Sequence, residues 1–293
     1  MRVLNFGSMN LDYVYTVDHM VLPGETQNSQ GMNTFLGGKG FNQSTALAKA
    51  GVEVYHAGLI GEEGKIFQET AKKYGISDKY IQVCDEKNGH TIIQVDKNGQ
   101  NCILLYGGAN RAVTREFVDE VLSGFEKGDI ILLQNEINEL DYIIDKAYEK
   151  GMQIFLNPSP FDGALDACDL NKISCFLLNE IEGGQIAGET EPDKIIDGIL
   201  AKYEDAKVVL TLGGDGSVYA DKEKRCQQPV YKVETVDTTA AGDTFTGYFI
   251  AGLIQGKTVE ETMKMCAVAA GIAVSRPGAV PSIPYMEEVE KLL

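Results

Sequence analysis

Short, largely apolar runs recur along the chain at residues 3–6, 54–60, 130–133, 154–156, 176–178 and 208–212, separated by amphipathic stretches. Near-continuous apolarity over so few residues suits a strand covered on both faces, the environment of a parallel sheet. Helix-like segments between the runs close on glycine before the next strand, as in Ala48-Lys49-Ala50-Gly51-Val52 and Tyr148-Glu149-Lys150-Gly151-Met152. Glycine there supplies the left-handed cap that ends a helix. This alternation predicts right-handed β-α-β crossovers and a doubly wound, mainly parallel sheet with helices on both faces, built by residues 1–293 as a single α/β domain.

Two stretches break the rhythm. Residues 89–95 and 102–106 are β-rich and are joined by Asp96-Lys97-Asn98-Gly99-Gln100, whose Asn-Gly is a strong hairpin signal. With the aromatic and β-branched residues 13–17 they predict a small antiparallel β lid, inserted from about 11–36 and 89–107. A cover that keeps water from a cleft is the functional reading. A decorative edge sheet is the alternative.

Charge narrows the partners. Lys and Arg total 26 against 43 Asp and Glu, a net −17 that repels nucleic acid and anionic lipid alike. No apolar run approaches the ~20 residues that cross a bilayer, and the chain opens on a strand-like run rather than a basic leader, so a cytoplasmic protein is expected. The six cysteines form no C-x-x-C pair and read as reduced structural thiols, and the three histidines lack the spacing of a zinc site. No G-x-S-x-G elbow is present, which removes a serine hydrolase.

Asp237-Thr238-Thr239-Ala240-Ala241-Gly242-Asp243 precedes apolar residues at helical spacing. Packing explains that stripe but not two aspartates around Ala-Ala-Gly. Backbone N–H groups at a helix start attract an anion. Asp243 would repel that anion unless it accepts a proton from a hydroxyl attacking a phosphate; a helix-capping Asp is the alternative. In Gly37-Gly38-Lys39-Gly40-Phe41-Asn42-Gln43, entering a helix at 44–50, glycines permit close approach of a ligand while Lys39 and Asn42 offer donors for hydroxyls. Asn10 and Asp12 follow the first strand, where open α/β sheets bind ligands, and an amide with a carboxylate can pair adjacent sugar hydroxyls. Other phosphate motifs fail: Ala251 stands where a P-loop before Gly256-Lys257-Thr258 needs glycine. Gln43 and Tyr219 likewise break both G-x-G-x-x-G candidates, leaving a dinucleotide oxidoreductase a weak alternative.

These segments, in order, resemble both signatures of the ribokinase-like (PfkB) carbohydrate kinases, over essentially the whole chain. The resemblance implies an ATP- and Mg²⁺-dependent kinase with Asp243 as catalytic base and the amides of Ala240, Ala241 and Gly242 as anion hole. It implies sugar binding by Asn10, Asp12, Gly38, Lys39, Gly40, Asn42, Glu136 and Asp243. Nucleotide contacts fall on Asn179, on Thr211, Leu212, Gly213, Gly214, Asp215 and Gly216, and on Gly242. Glu182 would order Mg²⁺ through water, and Asp237, Thr239, Ala273, Arg276, Gly278 and Ser282 would enclose an activating K⁺.

The resemblance further implies transfer to the primary hydroxyl of a pentose, foremost D-ribose at O5, and a homodimer joined through the lid. Another sugar or a nucleoside is the alternative acceptor, and a sugar-binding regulator without turnover a more distant one. Met32, Asn33 and Phe35 are placed to reshape the sugar pocket, whereas the lid face around Ile92, Gln94, Leu104 and Tyr106 is not assigned by the sequence.

Overall fold

A computed structural model describes all 293 residues. In chain order its strands are β1 (Val3–Phe6), β2 (Asn10–Thr16), β3 (Gly31–Gly37), β4 (Val54–Ile60), β5 (Ser77–Val83), β6 (Gly89–Val95), β7 (Asn101–Tyr106), β8 (Ile130–Gln134), β9 (Gln153–Asn157), β10 (Cys175–Asn179), β11 (Lys207–Thr211), β12 (Ser217–Ala220) and β13 (Arg225–Gln228). The helices are α1 (Lys39–Lys49), α2 (Ile66–Tyr74), α3 (Arg115–Ser123), α4 (Leu140–Glu149), α5 (Glu180–Ala187), α6 (Pro192–Lys202), α7 (Ala241–Ile254), α8 (Val259–Val274) and α9 (Met286–Glu290).

Nine strands form one sheet in the order β13-β12-β11-β10-β9-β8-β1-β4-β5, parallel from β11 to β5 and finished by an antiparallel edge at β12 and β13. The six apolar runs are six of its seven interior strands, β12 being the other. Each serves two cores at once: Leu4 and Phe6 pack on the side of α3, α4 and α6, whereas Val3 packs on the side of α1, α2, α7 and α8. Burial on both faces is why these runs show no polar alternation. Gly51 and Gly151 take the left-handed conformation (φ 84° and 75°) behind α1 and α4.

The chain leaves β1 toward β4 on one side and returns to β8 on the other, so a crevice opens between the carboxyl ends of β1 and β8. Over it lies a four-stranded lid in the order β3-β2-β6-β7. Its outer pairs are antiparallel, and β2 and β6, which come from the two separate insertions, run parallel where they meet. Helix α1 begins at Lys39, five residues before the expected start, because its glycines must press against β1: a Cβ on Gly40 would stand 2.4 Å from the Ser8 nitrogen. All six cysteines are free, and no helix is long and apolar enough to cross a membrane.

Candidate active site

The crevice is sealed at its base by contacts between loops. Glu136, just beyond β8, accepts hydrogen bonds from the Ser8 hydroxyl and from the Lys39 N–H (3.1 Å). Burial raises its carboxyl above the ordinary range despite nearby Lys39. Asp12 enters from the lid and accepts from the Thr91 hydroxyl at 2.6 Å. Burial raises its carboxyl to about 6, opposed by that bond and reinforced by the charge of Glu136. Asn10 is buried and its Oδ1 accepts from Asn110 Nδ2 at 2.7 Å, while its own Nδ2 donates to no protein group.

Asp243 lies in the first turn of α7 and is 7% exposed. Both of its oxygens are held from α1: Oδ2 accepts from Asn42 Nδ2 at 3.0 Å and Oδ1 from Gln43 Nε2 at 2.9 Å. Ala240 immediately precedes α7 with φ 61°, a left-handed conformation rare outside glycine. The Gly242 and Asp243 amides find no backbone acceptor, and they open the helix at its positive end. A Cβ on Gly242 would meet nothing within 4 Å, so its lack of a side chain leaves open space above the helix.

That space is a cavity of about 230 Å³ lined by Lys39, Asn157, Asn179, Glu182, Ala241, Gly242 and Asp243 among others. A second cavity of about 520 Å³ shares Thr211, Thr238, Ala241, Gly242 and Phe245 with it and continues between Gly213, Gly214, Gly216, Tyr231, Ala270 and Val274. The ammonium of Lys39 stands among three carboxylates. Burial lowers its pKa, but the carboxylates of Asp243, Glu136 and Glu182 outweigh this and raise it, so the lysine is a held positive charge at the wall of the smaller cavity. Glu182 accepts from the Asn179 backbone and side chain, and Asn179 in turn caps α5, a reciprocal capping box.

No group of three His, Cys, Asp or Glu side chains converges to hold a metal, and Glu182 is the one acid besides Asp243 on the smaller cavity. So sparse a set does not make an all-protein cage. It fits Mg²⁺, which keeps water and substrate phosphates as ligands.

Around the other end of α8, Asp237 joins two loops by accepting from Gly278 N–H (2.9 Å) and from Thr239. The Ala273 carbonyl accepts from the Arg276 N–H, the Arg276 guanidinium pairs with Glu288, and buried Ser282 donates to the Ala279 carbonyl (2.8 Å). The six residues therefore share one corner, whose oxygen chemistry fits a monovalent cation, although Arg276 can offer only its backbone.

Asn42 gives one N–H to Asp243 and keeps a second, while its buried Oδ1 has no partner. Two expectations change. Leu212 packs into the core, and Asp215 is absent from the cavity wall, leaving Thr211 and the three glycines to line it. Strand pairing aligns Asp12 with Phe35, Thr91 and Leu105, and places Val14, Asn33, Ile93 and Ile103 on that same lid face. Met32, Ile92, Gln94, Leu104 and Tyr106 occupy the opposite face, because side chains alternate along each strand.

Sequence reasoning missed Ser8, Thr91, Asn110, Gln43 and Gln134, and the apolar wall around Tyr231. One signal was available for Gln134, a polar residue closing an otherwise apolar strand. The wall carries no motif, since its residues come from a loop and the face of α8.

The model of the pfkB family carbohydrate kinases matches residues 2–286. The Arabidopsis thaliana ribokinase is 33% identical, with 98% of this chain and 79% of that one covered. Among solved structures, the Thermotoga maritima ribokinase is 33% identical with TM-score 0.88, covering 99% of this chain and 98% of that one. The Arabidopsis thaliana ribokinase complexed with ribose and ATP is 30% identical with TM-score 0.86, covering 99% and 98%. This chain belongs to the pfkB family of carbohydrate kinases. It is a phosphotransferase with an alcohol group as acceptor.

Proposed function

We propose that the protein transfers the γ-phosphoryl group of ATP to the primary hydroxyl of a pentose, D-ribose, giving ribose 5-phosphate. The observation that carries this reading is the position of Asp243: a buried carboxylate whose two oxygens are fixed by amides, at the head of a helix whose free N–H groups face an open cavity. An alcohol beneath the lid loses its proton to Asp243 as it attacks, and the Gly242 and Asp243 amides with the Lys39 ammonium take up charge on the phosphoryl oxygens, the Ala241 N–H being engaged by the Thr238 carbonyl. Asp12, Glu136 and Asn10 accept from and donate to the sugar hydroxyls. Names of the relatives favour ribose over other acceptors.

The larger cavity, with its glycine floor and apolar wall, suits the nucleoside of ATP. Glu182 would hold Mg²⁺, which would supply positive charge to offset that of the phosphates. The corner of Asp237, Thr239, Ala273, Arg276, Gly278 and Ser282 would hold K⁺, which would steady the loop before α7. A cytoplasmic setting agrees with ATP use and six free thiols. The exposed apolar edge Ile103, Leu104, Leu105 and Tyr106 of β7 supports a homodimer joined through the lids.

A coupled ADP-release assay across D-ribose, 2-deoxy-D-ribose, D-fructose and nucleosides tests the acceptor. Highest kcat/KM with D-ribose is expected, and a tenfold preference for another acceptor overturns the ribose assignment. Light scattering reports the dimer, and exchange of K⁺ for Na⁺ the cation dependence.

A further inference from the structure

Behind Asp243 a line of buried polar side chains runs away from the cleft. Gln43 donates Nε2 to Asp243 and accepts at Oε1 from Gln134 Nε2 (2.6 Å), which also reaches Asn5 Oδ1 (3.0 Å). Asn5 Nδ2 donates to the Gly40 carbonyl (2.6 Å) and to Ser44 Oγ (2.8 Å), and Ser44 Oγ lies 2.7 Å from His56 Nδ1. Asn5, Gln43, Ser44, His56 and Gln134 are each 0% exposed. Burying five polar side chains is costly unless they are paired, and a small apolar core would serve stability as well. None of them lines the cavity, and only Gln43 touches a residue that does.

The line has a direction. Complete burial pulls the His56 imidazole down to about 4, so it is neutral and its Nδ1 can accept. The Gly40 carbonyl can only accept, so Asn5 turns its Nδ2 toward Gly40 and the Ser44 Oγ. Asn5 then presents Oδ1 to Gln134, and Gln134 presents N–H to Gln43. A flipped Gln43 would set its Nε2 against Gln134 Nε2 and its oxygen against the Asp243 carboxylate, two repulsions at once. Only one orientation is left, the one that aims an N–H at Asp243.

We propose that Gln43 is a positioning residue for the Asp243 carboxylate, and that Gln134 fixes the orientation in which Gln43 acts. With Asn42 on the other oxygen, it locks the plane of a carboxylate that also faces Lys39 from α1, Glu136 from the loop after β8 and Glu182 from α5. The lone pairs left over then point at one place, where the attacking hydroxyl is held. This inference rests on Asp243 being the base.

Gln43→Met removes the donor at nearly constant volume. Hydrogen bonds to charged groups are worth about 1.5–3 kcal/mol, so kcat is expected to fall ~10- to 100-fold with KM for sugar and ATP within about twofold. Gln134→Met is expected to lower kcat in the same sense, and to lose that effect in the Gln43→Met background. In the Asp243→Asn background Gln43→Met should cost nothing further. Should Gln43→Met fail to fold, Gln134→Met with and without Asp243→Asn carries the same test. Unchanged kcat in Gln43→Met, or an undiminished loss in the Asp243→Asn background, overturns the positioning role. Near-normal kcat in Asp243→Asn alone overturns the assignment of the base instead.

Discussion

Asn42 and Asp243 lie 201 residues apart in the chain, yet Asn42 Nδ2 donates to Asp243 Oδ2 across 3.0 Å. That bond ties the two family signatures together, the glycine-rich entry to α1 and the acidic entry to α7.

Asp243→Asn keeps the shape and one of the two amide contacts, since its NH2 must face the other donor, and it cannot take a proton. General-base catalysis contributes about 10²–10⁴ in rate, so kcat should fall by that factor while calorimetric ribose affinity stays near that of the parent. Turnover within tenfold of the parent would rule out the base.

Asp12 should make sugar binding pH-dependent. Its carboxyl titrates at about 6, and the ionised form accepts from hydroxyls, so KM for ribose should rise as pH falls through 6 with kcat less affected. Asp12→Asn should flatten that profile. The same raised value means that burial of this group favours the fold below the ordinary carboxylate range and costs stability as pH rises through 6. Asp12→Asn is therefore expected to stabilise the fold at pH 8, by up to about 2 kcal/mol after allowance for the solvent that still reaches it, and so to raise Tm. A lower Tm there would contradict this account.

Gly40 has no room for a methyl group. A Cβ would lie 2.4 Å from the Ser8 nitrogen and 2.5 Å from the Gly7 carbonyl carbon, both backbone atoms that cannot step aside. Gly40→Ala should cost more than about 2 kcal/mol in denaturant unfolding, and in whatever folds it should weaken the sugar side before the nucleotide side. A neutral substitution would show that α1 can slide.

Lys49 is buried near the other end of α1, donating to the carbonyls of Val280 (3.1 Å) and Ile283 (2.7 Å) with Tyr74 and Tyr285 against it. Burial lowers its pKa to about 8, opposed by Glu288. The unfolded chain holds that proton up to about 10.4, so this residue adds stability as pH rises from 8 toward 10. Unfolding of Lys49→Met, compared with the parent across that range, should lack that increment; parallel curves would refute it.

The large sheet was legible because a strand covered on both faces leaves a largely apolar run, and Gly51 and Gly151 marked the exits of α1 and α4. β5 was not foreseen: Ser77, Asp78, Lys79 and Gln82 are polar, and its apolar residues form no run. In the site, Asp243 and its glycine could be read because a helix start beside an anion has a local chemistry. Gln43 and Gln134 could not, since a buried amide is useful only through a neighbour brought by another element. Which lid face joins Asp12 was not legible for a related reason. Alternation says which residues go together, but only the pairing of β2 with β6 says which set joins Asp12.

One residue, Gly38, separates the last residue of β3 from the first of α1, and its φ of 90° with backbone atoms of Ser8 and Asn10 about 3 Å from where a Cβ would be leaves it little latitude. The flap and the rod that grips the base are thus two arms of one crank. Motion at the sugar's roof has no slack in which to dissipate, so it must be absorbed at that single pivot or delivered to Asn42 and Gln43.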